Sequence, residues 1–251
     1  MSFDLIKVFH DMGLVAWVVV GALGVMAIMS MTVFIERLWA FRAMRLRSTR
    51  FAHVAGPLLQ SGAYGDVVKE ATTTFRAVPF AEVVSAGLST WLSAPSKSRV
   101  PPAELVRREV ERRLEPAAAS IRRGLSALAS VGSVAPFVGL LGTVIGIIEA
   151  FQGIAKEESA GIGAVSAGIS EALVVTALGL FVAIPAVLAF NLLSGKADSL
   201  TTALHQSAGE FVDFVESQAE RVETPKARVH GTLATETHAT LRPERADVAI
   251  A

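Results

Sequence analysis

The sequence contains no cysteine and few charged residues. Among its 251 residues only 18% are charged, the formal net charge is zero, and there is a single tyrosine. Without cysteine, disulfide bonds and thiolate metal sites are excluded. A soluble domain usually has about a quarter of its residues charged, whereas 52% of this chain is hydrophobic. The composition therefore indicates an integral membrane protein.

The chain also lacks the patterns that mark common catalytic sites. It has no metal-ligand spacing and no Walker, Rossmann or nucleophile-elbow motif. The five histidines are scattered, without a second ligand at a suitable spacing: His10, His53, His205, His230 and His238. We therefore predict that the protein is not an enzyme and has no catalytic residue, no metal site and no cofactor.

Three runs without a charged residue are each long enough to cross a membrane. They contain 24, 25 and 24 residues and cover 12–35, 124–148 and 172–195. A hydrocarbon core of about 30 Å needs about 20 helical residues at a rise of about 1.5 Å each. We therefore predict an all-α membrane protein with three transmembrane helices, at residues 12–38, 124–155 and 163–195.

The distribution of charge predicts the orientation of these helices. From Arg37 to Arg123 there are 15 Lys and Arg against 7 Asp and Glu, whereas segments 1–11 and 156–158 together have 2 basic residues and 4 acidic ones. Basic residues next to a span stay in the cytoplasm. Loop 39–123 and the C-terminus are therefore expected in the cytoplasm, and the amphipathic segment 1–11 and the turn 156–162 on the outer side.

The cytoplasmic regions show helical patterns of their own. In the loop, helices are predicted at Val67–Ala77 and Ala81–Leu92, with breaks at Gly56-Pro57, Ser61-Gly62 and Ala94-Pro95-Ser96. A third helix begins at Pro101-Pro102 and is predicted to continue into the second span without a break. Its arginines suggest anchoring at anionic lipid head groups rather than a nucleic-acid site.

The region after the third span divides into a helix and a tail. Residues 196–225 have apolar side chains at spacings of three and four, which predicts an amphipathic helix that Thr224-Pro225 ends. Residues 226–251 have no apolar period and are predicted to be a disordered tail.

Small residues in the second and third spans indicate close packing of membrane helices. Glycine lets the backbones of membrane helices approach each other, so tight packing is our interpretation of Gly139, Gly142, Gly146, Gly168 and Gly179. Pro136 and Pro185 lie inside the same two spans, where a proline bends a helix or loosens its hydrogen bonding.

Three polar residues in these spans are candidates for function. Glu171 precedes 24 uncharged residues, and such a group costs several kcal/mol in the membrane unless it is hydrated, paired or protonated. It either lines an ion path or lies close enough to the surface to be solvated. Thr143 either lines a polar path or donates back to its own helix. Thr176 lies five positions after Glu171, about 140° further round a helix.

Two motifs resemble the signatures of a known family. Residues 135–146 (APFVGLLGTVIG) resemble the second-span signature of the MotA/TolQ/ExbB proton-channel family. Residues 168–173 (GISEAL), 176–180 (TALGL) and 183–187 (AIPAV) resemble its third-span signature. The chain is more similar to the ExbB/TolQ branch than to the MotA branch, which usually has a further span.

The resemblance implies a bacterial inner-membrane protein whose outer side is the periplasm. It implies an oligomeric ring, commonly a pentamer, around a dimer of an ExbD/TolR-like partner whose single span carries a proton-exchanging aspartate. Thr143 and Thr176 then correspond to hydroxyls lining the ring, Glu171 to the membrane glutamate, and Pro136 and Pro185 to structural prolines. A TonB/TolA-like protein or a motility effector would be a further partner.

Two positions depart from the family pattern. Ala167 stands where many relatives have proline, and Glu149 stands where several have an uncharged or basic residue. These departures concern the entry to the third helix and the charge at the outer mouth.

The resemblance predicts a proton-channel subunit that couples proton motive force to mechanical work in the envelope, for uptake, a Tol-type function or gliding. A non-conducting membrane scaffold is the alternative, whereas a solute transporter would be expected to show inverted repeats or broken helices.

Overall fold

In the computed structural model, which describes residues 13–95, 99–156 and 162–236, the chain is helical and these residues contain no strand. The all-α prediction is confirmed for this part of the chain. Six helices follow one another within these described ranges: α1 Leu14–Gln60, α2 Tyr64–Thr73, α3 Pro79–Ser93, α4 Pro102–Arg122, α5 Leu125–Lys156 and α6 Ile162–Glu236.

Three of these helices can cross a membrane by length and composition. Within the described residues the membrane-capable segments are Leu14–Gln60, Leu125–Gly153 and Ser166–Arg221, in α1, α5 and α6. The prediction of three spans is confirmed at this level. Helices α1 and α6 continue well past the predicted ends of their spans at residues 38 and 195.

The chain divides into two compact units. The first takes in Met1–Arg50 and Ala118–Ala203, and the second takes in Phe51–Ala117 and Leu204–Ala251. Three helices extend across these boundaries, namely α1, α4 and α6.

The first unit is built from α1, α5 and α6. Its core joins Val19 and Leu23 of α1 to Ala135 of α5 and to Val174, Val175 and Ala183 of α6. Many large apolar side chains on the same helices remain exposed, among them Ile28 (70%), Phe137 (69%) and Phe181 (74%). An apolar surface of this extent is typical of helices that contact lipid or other membrane helices.

The second unit has a core of aromatic and β-branched side chains. The ring of Phe51 meets those of Phe75 and Phe80 edge to face, at centroid distances of 5.3 and 5.7 Å. Gly87 of α3 lies against Phe211 of α6, because a Cβ added there would come within 2.7 Å of that ring. Arg107 also binds Glu216, joining α4 to α6.

Two predicted helix boundaries are wrong because glycine conformation, rather than proline, decides where these helices end. The break predicted at Gly56-Pro57 is wrong, because α1 includes Pro57 and continues to Gln60. The break predicted at Ser61-Gly62 is confirmed, since α1 ends just before Gly62, whose φ is +78°. Gly124 has φ +83° and separates α4 from α5, which we predicted to be one helix. A positive φ lies outside the right-handed helical region, whereas one proline removes a single backbone hydrogen bond.

The predicted end of the last helix is also wrong. Helix α6 passes through Thr224-Pro225 and ends at Glu236. Because proline lacks an amide hydrogen, one backbone hydrogen bond is lost, and the helix continues on both sides of it. Residues 226–236 of the predicted tail therefore belong to α6. Segment 1–11, residues 157–161 of the turn and residues 237–251 lie outside the described residues.

Candidate functional site

Helices α5 and α6 meet along a line of small residues. The pairing is antiparallel, because Gly132 lies against Val187, Gly139 against Thr176 and Gly146 against Ala172. The backbones come closest at Gly139 and Gly179: a Cβ added to Gly179 would lie 2.8 Å from the carbonyl oxygen of Ala135. A side chain at this point would therefore push the two helices apart.

The other predicted packing glycines lie on the same contact. A Cβ on Gly142 would come within 2.5 Å of Val175 Cγ1, and one on Gly146 within 2.9 Å of Ala172 Cβ. On α6, a Cβ on Gly168 would lie 2.7 Å from Ala150 Cβ. All five glycines singled out in the sequence thus stand where α5 and α6 touch.

The two threonines donate their hydroxyl protons to backbone carbonyls of α5. Thr176 Oγ1 donates across the helix contact to the carbonyl oxygen of Gly139 at 2.8 Å. Thr143 Oγ1 donates to the carbonyl oxygen of Leu140, on its own helix, at 2.7 Å. Thr143 is 9% exposed within the single chain, and Thr176 is partly buried. Both hydroxyls keep lone pairs that can accept a further hydrogen bond.

Glu171 contacts the start of α1 instead of the threonines. The backbone amide of Gly13 donates to Glu171 Oε1 at 2.9 Å in a partly buried setting. The structure therefore gives Glu171 and Thr176 different partners, in agreement with their separation of about 140° around α6.

Glu149 also lies near the start of α1, which sequence reasoning did not foresee. A Cβ added to Gly13 would come within 3.3 Å of Glu149 Oε2. Both acids stand next to an uncharged run: Glu149 follows 124–148 on α5, and Glu171 precedes 172–195 on α6. The positions of the two acids beside uncharged runs are visible in the sequence. Nothing in the sequence indicated that both acids lie near the start of α1.

Charged residues also stand at the other end of the three-helix unit. Arg37 follows Gly13 by 24 positions on α1, or about 36 Å of helix, and its Nε lies 3.5 Å from a Cβ added to Gly124. Arg122 forms an ion pair with Asp198 at 2.8 Å. The long uncharged middle of the unit thus lies between an end with two acids and an end where arginines predominate.

The two prolines that the family resemblance marks as structural lie inside helices. Pro136 stands inside α5 and Pro185 inside α6. Each lacks an amide hydrogen, so the carbonyl four residues earlier, at Gly132 or Phe181, loses the amide donor that an α-helix ordinarily supplies. Among the described residues, no group of three or more His, Cys, Asp or Glu is placed to hold a metal ion.

A charged cluster on α4 belongs to the second unit. Glu109 binds both Arg112 and Arg113, with 2.9 Å between its Oε1 and Arg113 Nε. The hydrogen bond from Arg113 is the main reason why the pKa of Glu109 lies below its usual value. The same bond raises the pKa of Arg113.

The sequence matches one protein family over just over half of its length. The family model described as MotA/TolQ/ExbB proton channel family matches residues 77–206. This range contains all of α5 and the part of α6 that carries Glu171 and Thr176.

Curated proteins with sequence similarity carry two names. The Tol-Pal system protein TolQ of Pseudomonas aeruginosa is 46% identical over 91 residues, 36% of this chain and 39% of that protein. The biopolymer transport protein ExbB of Xanthomonas campestris is 44% identical over 111 residues, 44% of each chain. ExbB of Neisseria gonorrhoeae is 51% identical over 88 residues, 35% of this chain and 40% of that one. The matched regions span about two-fifths of these relatives.

Proposed function

The chain belongs to the MotA/TolQ/ExbB proton channel family, on its ExbB/TolQ branch, and we propose that it is the proton-conducting subunit of an inner-membrane motor. In this proposal, proton motive force is converted into mechanical work in the cell envelope. The chain is a multi-pass protein of the bacterial inner membrane, given its three membrane-capable helices and its kinship with ExbB and TolQ.

One observation carries the proposal: Glu171 stands at one end of an uncharged segment of membrane-spanning length, and two threonine hydroxyls lie inside such segments. Ionisable groups at such positions cost several kcal/mol and usually face a bundle interior or an ion path. Packing alone requires small residues, which the glycines between α5 and α6 already supply. Thr176 adds a hydrogen bond across that contact, but Glu171 bonds to Gly13 and Thr143 bonds to its own helix. The packing of α5 on α6 therefore does not account for Glu171 or Thr143, which favours a polar path.

The proposed path needs a partner. An ExbD/TolR-like partner dimer would bring its membrane aspartates into a ring of these subunits, commonly five. A pore lined by apolar side chains excludes ions by dewetting. Protons would pass by exchange among the aspartate, water, Glu171 and the lone pairs of Thr143 and Thr176. Each proton supplies about 2.3 kcal/mol per 100 mV of membrane potential.

The charges at the two ends support an orientation. Arg37 and Arg122 lie at one end, together with the arginines that follow on α1, and Glu149 and Glu171 lie at the other. With the basic end in the cytoplasm, the N-terminus faces the periplasm and the C-terminus the cytoplasm. The acids then stand on the side from which protons enter.

Proton flux into liposomes tests the roles of the threonines. The protein is co-expressed with its single-span partner, reconstituted, and exposed to an imposed membrane potential. Flux should fall strongly in a Thr143→Val, Thr176→Val double variant. It should persist in Thr32→Val, since the Thr32 hydroxyl is likewise bonded to its own helix, at Ile28. Full flux in the double variant would overturn the assigned roles.

A non-conducting scaffold is the second candidate, because both threonine hydroxyls are already bonded to backbone carbonyls. Native mass spectrometry of the co-expressed complex separates the two functions. A ring that holds a smaller number of partner copies supports the motor. A monomer or dimer that does not bind the partner supports the scaffold. The relatives' names point to Tol-Pal or biopolymer-transport systems as the machines to try first.

A further inference from the structure

The contact between Gly13 and Glu171 joins residues 158 positions apart. Gly13 immediately precedes α1, and its carbonyl accepts the amide of Trp17 at 3.1 Å, the first hydrogen bond of that helix. The amides at the start of a helix have no acceptor within the helix. At Gly13 the acceptor comes from α6, since Glu171 Oε1 lies 2.9 Å from the amide nitrogen.

For the contact with Glu171, the backbone amide of Gly13 is more important than the absence of a side chain there. A Cβ at this position would lie 3.3 Å from Glu149 Oε2, which is the far end of a flexible and exposed side chain. Glu149 can therefore shift by a few tenths of an ångström to accept a methyl group. If the amide hydrogen of Gly13 is replaced, no small shift of a side chain can compensate, because the hydrogen bond to Glu171 is then lost.

We propose that Gly13 is a positioning residue for Glu171: its amide holds the carboxylate at the start of α1 and thereby fixes where this acid stands in the proton path. The effect on proton transfer rests on the proposed function, whereas the contact between Gly13 and Glu171 does not. A carboxylate that accepts a hydrogen bond from a helix N-terminus is favourably placed by charge as well as by geometry. Loss of the donor leaves the glutamate free to adopt other rotamers, so proton transfer loses a fixed site.

Three variants separate the amide from other effects at this position. Gly13→Pro removes the amide hydrogen. Gly13→Ala keeps it and adds the methyl group that Glu149 can accommodate. Leu14→Pro introduces a proline one residue later, at the first position of α1, where proline is well tolerated and the Gly13 amide is kept. Leu14 is 81% exposed, so its loss removes little packing within the chain.

Two measurements on the reconstituted complex test the proposal. Infrared difference spectroscopy follows the carboxylate stretch of Glu171, which is assigned by its loss in Glu171→Gln. Proton flux is measured on the same samples at equal amounts of assembled ring. We expect Gly13→Pro to shift the band and to lower flux by at least about tenfold, the lower limit for a lost hydrogen bond to a charged group. Gly13→Ala and Leu14→Pro should resemble the wild type in both.

The outcomes distinguish this proposal from the proposed function. An unshifted band in Gly13→Pro overturns the contact, and a shifted band with normal flux overturns its positioning role. Loss of flux in Leu14→Pro equal to that in Gly13→Pro also overturns it, because the effect then comes from proline rather than from the amide. If the assembled wild type conducts no protons but the band still shifts, the contact stands and the proposed function fails.

Discussion

Thr176 on α6 donates its hydroxyl proton to the carbonyl oxygen of Gly139 on α5 across 2.8 Å. This hydrogen bond crosses the helix contact beside Gly179, where the two backbones come closest. The small residues and the hydroxyl therefore act together: the glycines let the helices approach, and the approach brings the threonine within reach of the opposite backbone.

Replacement of Thr176 by valine should destabilise the pair of helices. Hydrogen bonds between membrane helices contribute about 0.6 kcal/mol on average and up to about 1.7 kcal/mol. Thermal unfolding in detergent should show this loss for Thr176→Val and little loss for Thr176→Ser, which keeps the donor. Thr202→Val is the control, since its hydroxyl is exposed and bonded to its own helix at Asp198. Equal stability of the valine variant and the wild type would contradict the prediction.

An alanine at Gly179 should separate α5 from α6. Its Cβ would lie 2.8 Å from the Ala135 carbonyl oxygen, a backbone atom that cannot move without its helix. Overpacking of this kind costs about 1–3 kcal/mol. Gly24→Ala on α1 is the matched control, because a Cβ there meets nothing within 4 Å. Thermal unfolding that ranks Gly179→Ala as no less stable than Gly24→Ala would show that the close approach is unimportant.

Gly124 should not tolerate a side chain, because its φ of +83° lies in the left-handed region. An alanine there costs about 1–2 kcal/mol, and its Cβ would also lie 3.5 Å from Arg37 Nε. We expect lower stability in Gly124→Ala, measured by thermal unfolding, and a neutral or stabilising effect in Gly65→Ala. Gly65 is inside α2 and has open space around it. A neutral Gly124→Ala would contradict the break between α4 and α5.

The cluster around Glu109 predicts a pH dependence of stability in the second unit. The hydrogen bond from Arg113 lowers the pKa of Glu109, so the folded state favours the carboxylate more than the unfolded state does. The stabilisation is fully present above the unfolded pKa of about 4.3 and is lost as pH falls through the lower folded pKa. Glu109→Gln should therefore be less stable than the wild type near neutral pH, with the difference vanishing in acid. A difference that persists unchanged in acid, or one equally large in Glu111→Gln, would contradict this account.

The sequence predicted the membrane helices well because their signals are local and strong. A run of 24 uncharged residues predicts a span whatever the rest of the chain does. The glycines of α5 and α6 similarly predicted a close helix contact, because small residues have few other uses in such a helix.

Helix ends and long-range contacts were harder to predict. Pro57 lies inside a helix whereas Gly124 ends one, because backbone conformation at a single residue depends on the packing around it. The partners of Glu149 and Glu171 depend on how α1 packs against α5 and α6. No local pattern of residues encodes the meeting of Gly13 with Glu171, 158 positions later.

Proton flux through the reconstituted complex with Glu171→Gln tests the central claim most directly. This change keeps the size of the side chain and an oxygen that can accept the Gly13 amide, but it removes the titratable group. Glu149→Gln makes the same change at the neighbouring acid and serves as the control. We predict that flux is abolished in Glu171→Gln and retained in Glu149→Gln at equal amounts of assembled complex. Undiminished flux in Glu171→Gln would contradict the account.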